Sequence, residues 1–383
     1  MKNFSFILPT RIEFGVGAIV CLPKELGVLG SRKPLIVTDS GIASSGLLAK
    51  VTALLKGAGC EYGVFDGVAP NPRDDNVGSC AEAARTAGSD CLIALGGGSS
   101  IDCAKGASVV AVQGGSIWDY RGVERVPGAA IPLISVPTTA GSGSEVTFSA
   151  VITDRARRTK FSLRSVKIAP RVAICDPELT LTMPGAITAS TGMDALTHAI
   201  EGYTATCAEP IGNAAALHSV TLVSKFLRRA AEDGSDVEAR AGMLMGSLLG
   251  AISFSHSDVA AVHCIAESLG GMYDKPHGVC NAVCLPEVMN YSRDFCVRKY
   301  ADVGRAMGLS FSSDEQGADA AVAAVRELSD DVGIPPFSAF GIAESEFPEI
   351  AEKSFENLSS ASNPRPLGVT DYMEILRRLD SRR

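Results

Sequence analysis

Short unbroken apolar runs alternate with longer segments of helical period through the first part of the chain. KPLIVTD is followed by GLLAKVTALLKGAG, then by EYGVFDGV, DNVGSCAEAARTAG and DCLIALGGG. A parallel strand is covered on both faces, so it reads as a continuous β-branched run and not as an alternation of apolar and polar positions. The rhythm therefore predicts βαβ units in a doubly wound, Rossmann-like α/β domain, to which AAIPLISVPTT adds a further strand. After about Pro184 the period changes. NAAALHSVTLVSKFLRRAAE, EARAGMLMGSLLGAIS and GADAAVAAVRELSDDVG carry apolar residues at helical spacing, and strand signals become few. The 383 residues exceed the roughly 250–300 that one core accommodates. Two closely packed domains with a cleft between them are expected: an α/β dinucleotide-binding domain over 1–184 and an all-helical domain over 185–383. At the start, FSFILPTRIEFG can form a hairpin whose edge pairs with a second subunit, or can equally cap its own sheet.

Charge and composition remove several classes. Against 43 acidic residues stand 35 basic ones, a net of -8, with no basic run long enough to track a phosphate backbone, so nucleic acid is not an expected partner. The N-terminal apolar stretch is broken by Pro9 and Arg11, too short for a signal core. No apolar run approaches about 18 residues, so no membrane span is expected and a cytoplasmic location is. The eleven cysteines are scattered without a CxxC pair and read mostly as reduced core thiols, Cys264, Cys280 and Cys284 included.

Candidate chemistry concentrates in two segments of the helical half. In GMDALTHAIEGY, Asp194 and His198 lie one helical turn apart and can point at one ion. In AVHCIAESLGGMYDKPHG, His263 and His277 add two imidazoles, and the glycine after His277 lets backbone pass close. Only five histidines occur in the chain, and three of them fall here. A metal-dependent enzyme is the leading reading. His218, among Ala and Leu of a helix, reads as structural.

Two loops suggest a second ligand. Gly96, Gly97, Gly98 and Ser99 follow the strand CLIAL and open a helix, where backbone N–H groups can cradle a pyrophosphate. Pro137 to Ser144, small and polar, follows the strand PLISV, the place where ligands bind in open α/β sheets. Asp39, after LIVT, suits the ribose hydroxyls of NAD and would repel the 2′-phosphate of NADP, but it suits a helix cap equally well.

Taken together, GGGSSIDCAK, SVPTTAGSGSEVT, TGMDALTHAIEGY, AVHCIAESLGG, DKPHGVCNAVCLP and the late NPRP resemble the iron-containing (group III) alcohol dehydrogenases, a family that includes lactaldehyde reductases and propanediol dehydrogenases. The resemblance runs from the first strands to the C-terminus. It implies a Rossmann-like domain, a helical metal-binding domain of dehydroquinate-synthase-like architecture, and dimers or larger assemblies. It also implies Asp194, His198, His263 and His277 as ligands of Fe(II) or Zn(II). Gly97, Gly98 and Ser99 would then bind the pyrophosphate of NAD, and Asp39 its adenosine ribose. Thr138, Thr139 and Ser142 would lie along the cofactor, with Lys160 and Leu179 near its ribose and nicotinamide.

One departure stands out. Where many members carry a second histidine four residues after the third ligand, this chain has Glu267. A carboxylate there can carry a proton, bind a polar substrate group or repel an anion. His256, in SFSHSD, can supply the missing imidazole or be a loop or cap histidine. The expected activity is hydride transfer between NAD(H) and a small primary alcohol or aldehyde. The alternatives are a glycerol-dehydrogenase-like polyol oxidoreductase, a dehydroquinate-synthase-like lyase, disfavoured by the scarcity of Lys and Arg around the ligands, and a non-catalytic NAD- and metal-binding sensor.

Overall fold

The structure is a computed structural model that describes residues 3–381. Its contacts divide the chain into two compact units, Ile7–Thr139 with Gly143–Met183, and a helical unit made from Pro184 onward, Ala140–Ser142 and the N-terminal residues through Phe6.

The first unit contains nine strands among the described residues: β1 (Arg11–Phe14), β2 (Pro34–Val37), β3 (Gly63–Phe65), β4 (Cys91–Gly96), β5 (Gly122–Val123), β6 (Leu133–Pro137), β7 (Ser149–Asp154), β8 (Thr159–Arg164) and β9 (Val172–Cys175). Six form one parallel sheet in the order β1-β9-β6-β4-β2-β3. Every residue of β2, β4, β6 and β9 is buried, as strands covered on both faces must be. Along β4 the side chains alternate between two apolar layers. Leu92 and Ala94 join Val77, Ala81, Ile101 and Ala104 of helices α4 (Asp74–Ala87) and α5 (Gly98–Gln113). Ile93 and Leu95 join Leu22, Leu26, Val51 and Leu55 of α1 (Leu22–Leu29) and α3 (Leu47–Gly57). Between β2 and α3 lies the short α2 (Ser40–Ser44).

Of the two readings of the N-terminal segment, the structure shows the cap on its own sheet. FSFILPTRIEFG forms no hairpin: β1 is a single edge strand paired with β9, and the chain after it turns through Gly15 and Gly17, both at positive φ. A second sheet, β5-β8-β7, was not anticipated; β7 and β8 are antiparallel, with Thr153 opposite Lys160. β8 carries Lys160 and Arg164 and is only alternately buried, so it offers no continuous apolar run to recognise.

This hairpin is fixed to α5 by a buried polar network. Lys105, fully buried, donates from Nζ to Ser144 Oγ, Thr147 Oγ1 and the Ser149 carbonyl, each at 2.8 Å. Asp102 accepts from Ser144 Oγ at 2.5 Å and from the Val151 amide at 2.9 Å. Burial pushes the Lys105 ammonium down to about 8 against the pull of Asp102 and Glu145. Glu145 is buried beside it with Oε1 unpaired, and burial pushes its carboxyl up to about 7.

Nine helices make up the second unit among the described residues: α6 (Gly185–Thr204), α7 (Pro210–Glu232), α8 (Val237–His256), α9 (Ala261–Tyr273), α10 (His277–Ser292), α11 (Val297–Ala306), α12 (Asp314–Asp331), α13 (Phe347–Glu356) and α14 (Val369–Asp380). α6 is buried along nearly its whole length and packs on α7, α8 and α10. Polar side chains on such a helix must find partners within the protein, which is where the candidate site lies. No single described helix is long and apolar enough to cross a membrane; α8 and α9 together match that composition but are bent by 101°.

Candidate active site

Three helices converge on one point. α6 supplies Asp194 and His198 from adjacent turns, α9 supplies His263 from its first turn, and α10 begins at His277. One ligand atom from each of these four residues lies within 4.8 Å of all the others. His263 Nε2 and His277 Nε2 stand 4.0 Å and 3.8 Å from Asp194 Oδ1. α10 can approach α6 because its second residue is glycine: a Cβ on Gly278 would sit 2.7 Å from the Ser190 carbonyl oxygen. Asp194, His198 and His263 are buried, whereas the His277 side chain keeps 29 % of its exposure.

The imidazoles are oriented from behind. His198 Nδ1 lies 3.3 Å from the Gly141 carbonyl, an acceptor only, so Nδ1 carries the proton and the Nε2 lone pair is available to a cation. The His198 ring also stacks on Phe254 with centroids 4.4 Å apart. His263 Nδ1 lies 2.6 Å from Glu201 Oε2, which fixes the same tautomer. Glu201 additionally accepts the backbone N–H groups of Ala260 at 2.9 Å and Val262 at 2.7 Å. α9 has no side-chain cap from its own Ala260, so a carboxylate on α6 caps α9 and aims its histidine in one arrangement.

Electrostatics follow from burial and charge. Burial would raise the Asp194 carboxyl, but His198, His277, His263 and the Asn281 amide hold it below the usual carboxylate range. Burial pushes His198 down to about 4 against the attraction of Asp194, so it is neutral at physiological pH, as a ligand must be. His263 moves the other way: burial opposes its charge, yet the hydrogen bond and charge of Glu201 raise it.

Asn281 tests whether a cation fits. Its amide nitrogen lies 2.6 Å from Asp194 Oδ1, 3.1 Å from His263 Nε2 and 3.2 Å from His277 Nε2, while its buried Oδ1 has no partner among the described residues. Two amide hydrogens cannot satisfy three acceptors. A divalent ion among them satisfies all three, and a set of one carboxylate and three imidazoles suits Fe(II) or Zn(II).

Glu201 was not singled out from the sequence, although a signal was there: the charged and imidazole side chains of α6 are confined to 194, 198 and 201, one helical stripe. His256 ends α8, with Nδ1 2.8 Å from the Ile252 carbonyl and its ring stacked on Phe6 at 3.9 Å. It lies outside the group of four. His218 lies mid-way along α7, outside the group as well.

In the α/β unit, β4 ends at Gly96 and Gly97 is the N-cap of the sixteen-residue α5, where no side chain caps the first amides. A Cβ on Gly97 would lie 3.0 Å from Thr139 Oγ1, so only glycine leaves this turn open. Gly98 and Ser99 form the first turn of α5. Thr138 is buried, its N–H bonds the Gly96 carbonyl, and its Oγ1 has no partner among the described residues. Open helix amides beside a buried unpaired hydroxyl fit a phosphate-bearing ligand. Asp39 lies beyond the end of β2 and caps α2, accepting from Ile42 N at 3.0 Å, with Oδ2 3.4 Å from Ser100 Oγ. The cap reading therefore holds, and the second oxygen faces the glycine turn. Lys160 Nζ donates to Asn71 Oδ1 at 2.7 Å. Leu179 is fully buried in the apolar layer with Val136 and Ile174. Ser142 falls in the short stretch that belongs to the helical unit.

Comparison with known proteins gives the family. Residues 9–177 match the family model described as iron-containing alcohol dehydrogenase, and residues 188–379 match that of the Fe-containing alcohol dehydrogenase family, C-terminal. The chain is 38% identical over 381 residues to a 1,3-propanediol dehydrogenase of Klebsiella pneumoniae, covering 98% of each chain. It is 36% identical over 376 residues to an NAD-dependent methanol dehydrogenase of Bacillus methanolicus, covering 97% of this chain and 99% of the other. A crystal structure of a 1,3-propanediol oxidoreductase superimposes with a TM-score of 0.96 at 38% identity, over 99% of this chain and 100% of that one. The chain belongs to the iron-containing alcohol dehydrogenase family. It is accordingly an oxidoreductase of a family that works with NAD(H) and iron.

Proposed function

We propose that Asp194, His198, His263 and His277 hold the iron, and that the protein transfers a hydride between NAD(H) and a small primary alcohol or aldehyde. The observation that carries this is the convergence of four ligand atoms from three helices around an amide that cannot satisfy them. When bound, the ion supplies Lewis-acid chemistry at the substrate oxygen. The chain's own part is orientation. Glu201 and the Gly141 carbonyl fix the tautomers of His263 and His198, and burial keeps His198 neutral. Gly97, Gly98 and Ser99 at the start of α5, with Thr138 and Thr139, receive the pyrophosphate, and Asp39 receives the adenosine ribose. Ser142 and Lys160 lie along the rest of the cofactor. Residues 1–184 act as the dinucleotide domain and 185–383 as the metal domain. The exposed Phe4, Ile7 and Leu8 and the unpaired outer edge of β1 support a homo-oligomer, and eleven free thiols suit the reducing cytoplasm.

The test is His263→Ala. Anaerobic oxidation of NADH by short aldehydes should be lost while NADH binding, followed by fluorescence titration, is retained. Full activity would overturn the ligand assignment.

A further inference from the structure

From Ala261 to Gly270, helix α9 is buried at every position but one. That position is Glu267. It lies one turn beyond His263 on the same face, where Cβ atoms are about 5–6 Å apart. Its Oε2 accepts from Asn357 Nδ2 at 2.6 Å, and Asn357 Oδ1 in turn accepts from the Ser359 amide at 3.0 Å. The amide is thereby held in one orientation and the carboxylate is held in place. No cationic side chain of the described residues pairs with Glu267. The other carboxylates nearby are engaged: Asp194 by three imidazoles and Asn281, Glu201 by His263 and two backbone amides. Glu267 alone is held by a single neutral partner while keeping access to solvent.

We propose that Glu267 sets the substrate class of this site. It selects alcohols and aldehydes that carry an ammonium group two or three carbons from the reacting oxygen, and it disfavours hydroxy acids. The inference rests on the function proposed above. The scale is compatible: three carbons separate an alcohol oxygen from an amine nitrogen by about 5 Å at ordinary bond lengths, the same order as the Cβ spacing of residues one helical turn apart, as His263 and Glu267 are. A carboxylate in a partly buried wall attracts a cation and repels an anion far more strongly than it would in water. If Glu267 served only to anchor Asn357, glutamine would serve as well, because its carbonyl oxygen accepts the same hydrogen bond.

The experiment uses the iron-loaded full chain with NAD+ and compares kcat/KM for 3-aminopropan-1-ol, butan-1-ol and 3-hydroxypropanoate in the wild type, Glu267→Gln and Glu267→Asp. Calorimetric binding of propylammonium to each protein runs alongside. The wild type should prefer the amino alcohol to butanol by about tenfold or more and should rank the hydroxy acid last. Glu267→Gln should bring the first ratio to within about twofold and weaken propylammonium about tenfold, whereas Glu267→Asp, which keeps the charge, should preserve the ranking. Turnover of all three compounds without a charge ranking, or a ranking unchanged in Glu267→Gln, overturns the role of Glu267 alone. Turnover of none, with propylammonium still bound through Glu267, overturns the proposed activity and leaves the cation subsite standing.

Discussion

At the residue scale the four candidate ligands were the most legible part of the molecule: the pattern singles them out, and the structure brings them together. Histidine is scarce in this chain, and a carboxylate with an imidazole one turn away is a strong pattern on a helix. The stripe 194, 198 and 201 marks Glu201, but its role is hidden in the sequence because its partners on another element lie some sixty positions later. Carboxylates behind metal-bound histidines typically contribute 10- to 100-fold to metal affinity. Glu201→Gln keeps the shape but loses the charge, and should weaken iron binding by about that factor in a chelator competition. Affinity equal to the wild type would reduce Glu201 to a helix cap.

Glu145 gives a second residue-scale expectation. Its carboxyl is raised from 4.5 to about 7, so the folded state holds this proton more tightly than the unfolded chain does. The stability it contributes is present below about pH 4.5 and is lost as pH rises through 7, an effect on the order of 1–3 kcal/mol. Lys105 has the opposite sign: with its pKa lowered to about 8, stability returns as pH climbs from 8 towards the ordinary lysine value. Melting temperatures from pH 5 to 7.5 should therefore fall for the wild type relative to Glu145→Gln. Parallel curves for the two proteins would show that Glu145 is paired after all.

Elements were legible in proportion to how continuous their apolar signal is. β2, β4 and β6 announced themselves because both faces are covered, and the long helices after Pro184 because one stripe is. β7 and β8 did not, since each buries only alternate positions along much of its length, β8 carries Lys160 and Arg164, and the hairpin is tied to the Lys105 network on another element. The edge strand β1 stays between two readings in the sequence, a hairpin or a cap on its own sheet, because its neighbour, β9, is remote in sequence. The turn from β4 into α5 was read correctly as strand, glycines and helix, and it yields its own prediction. In Gly97→Ala the new methyl meets the Thr139 side chain at 3.0 Å, at the N-cap of α5 where the pyrophosphate is proposed to bind. NADH affinity should fall by about tenfold or more with far-UV circular dichroism unchanged, a loss of about 1.4 kcal/mol at least. Unaltered affinity would place the pyrophosphate elsewhere.

For the whole molecule, the proposed site makes the metal a ligand of the folded state only, because the four candidate ligands are brought together from positions 194 to 277 by folding. Free iron at a hundred times its dissociation constant should stabilise the protein by about 2.7 kcal/mol. Calorimetry before and after anaerobic chelation should show the apo protein melting lower, and identical melts would mean that the four groups do not bind the ion tightly.

The pairing of β1 with β9 also governs how the chain emerges from the ribosome. Thr10 Oγ1 reaches the Pro170 carbonyl across a sequence separation of 160, and Phe6 finds His256 later still. At about 5–20 residues per second, the first strand waits roughly 10–30 s for its neighbour to be made. Throughout that interval Phe4, Ile7 and Leu8 trail in front of an unclosed sheet, an invitation to holdase chaperones, and a bulky tag fused at this end would delay the last step of maturation more than one at the other.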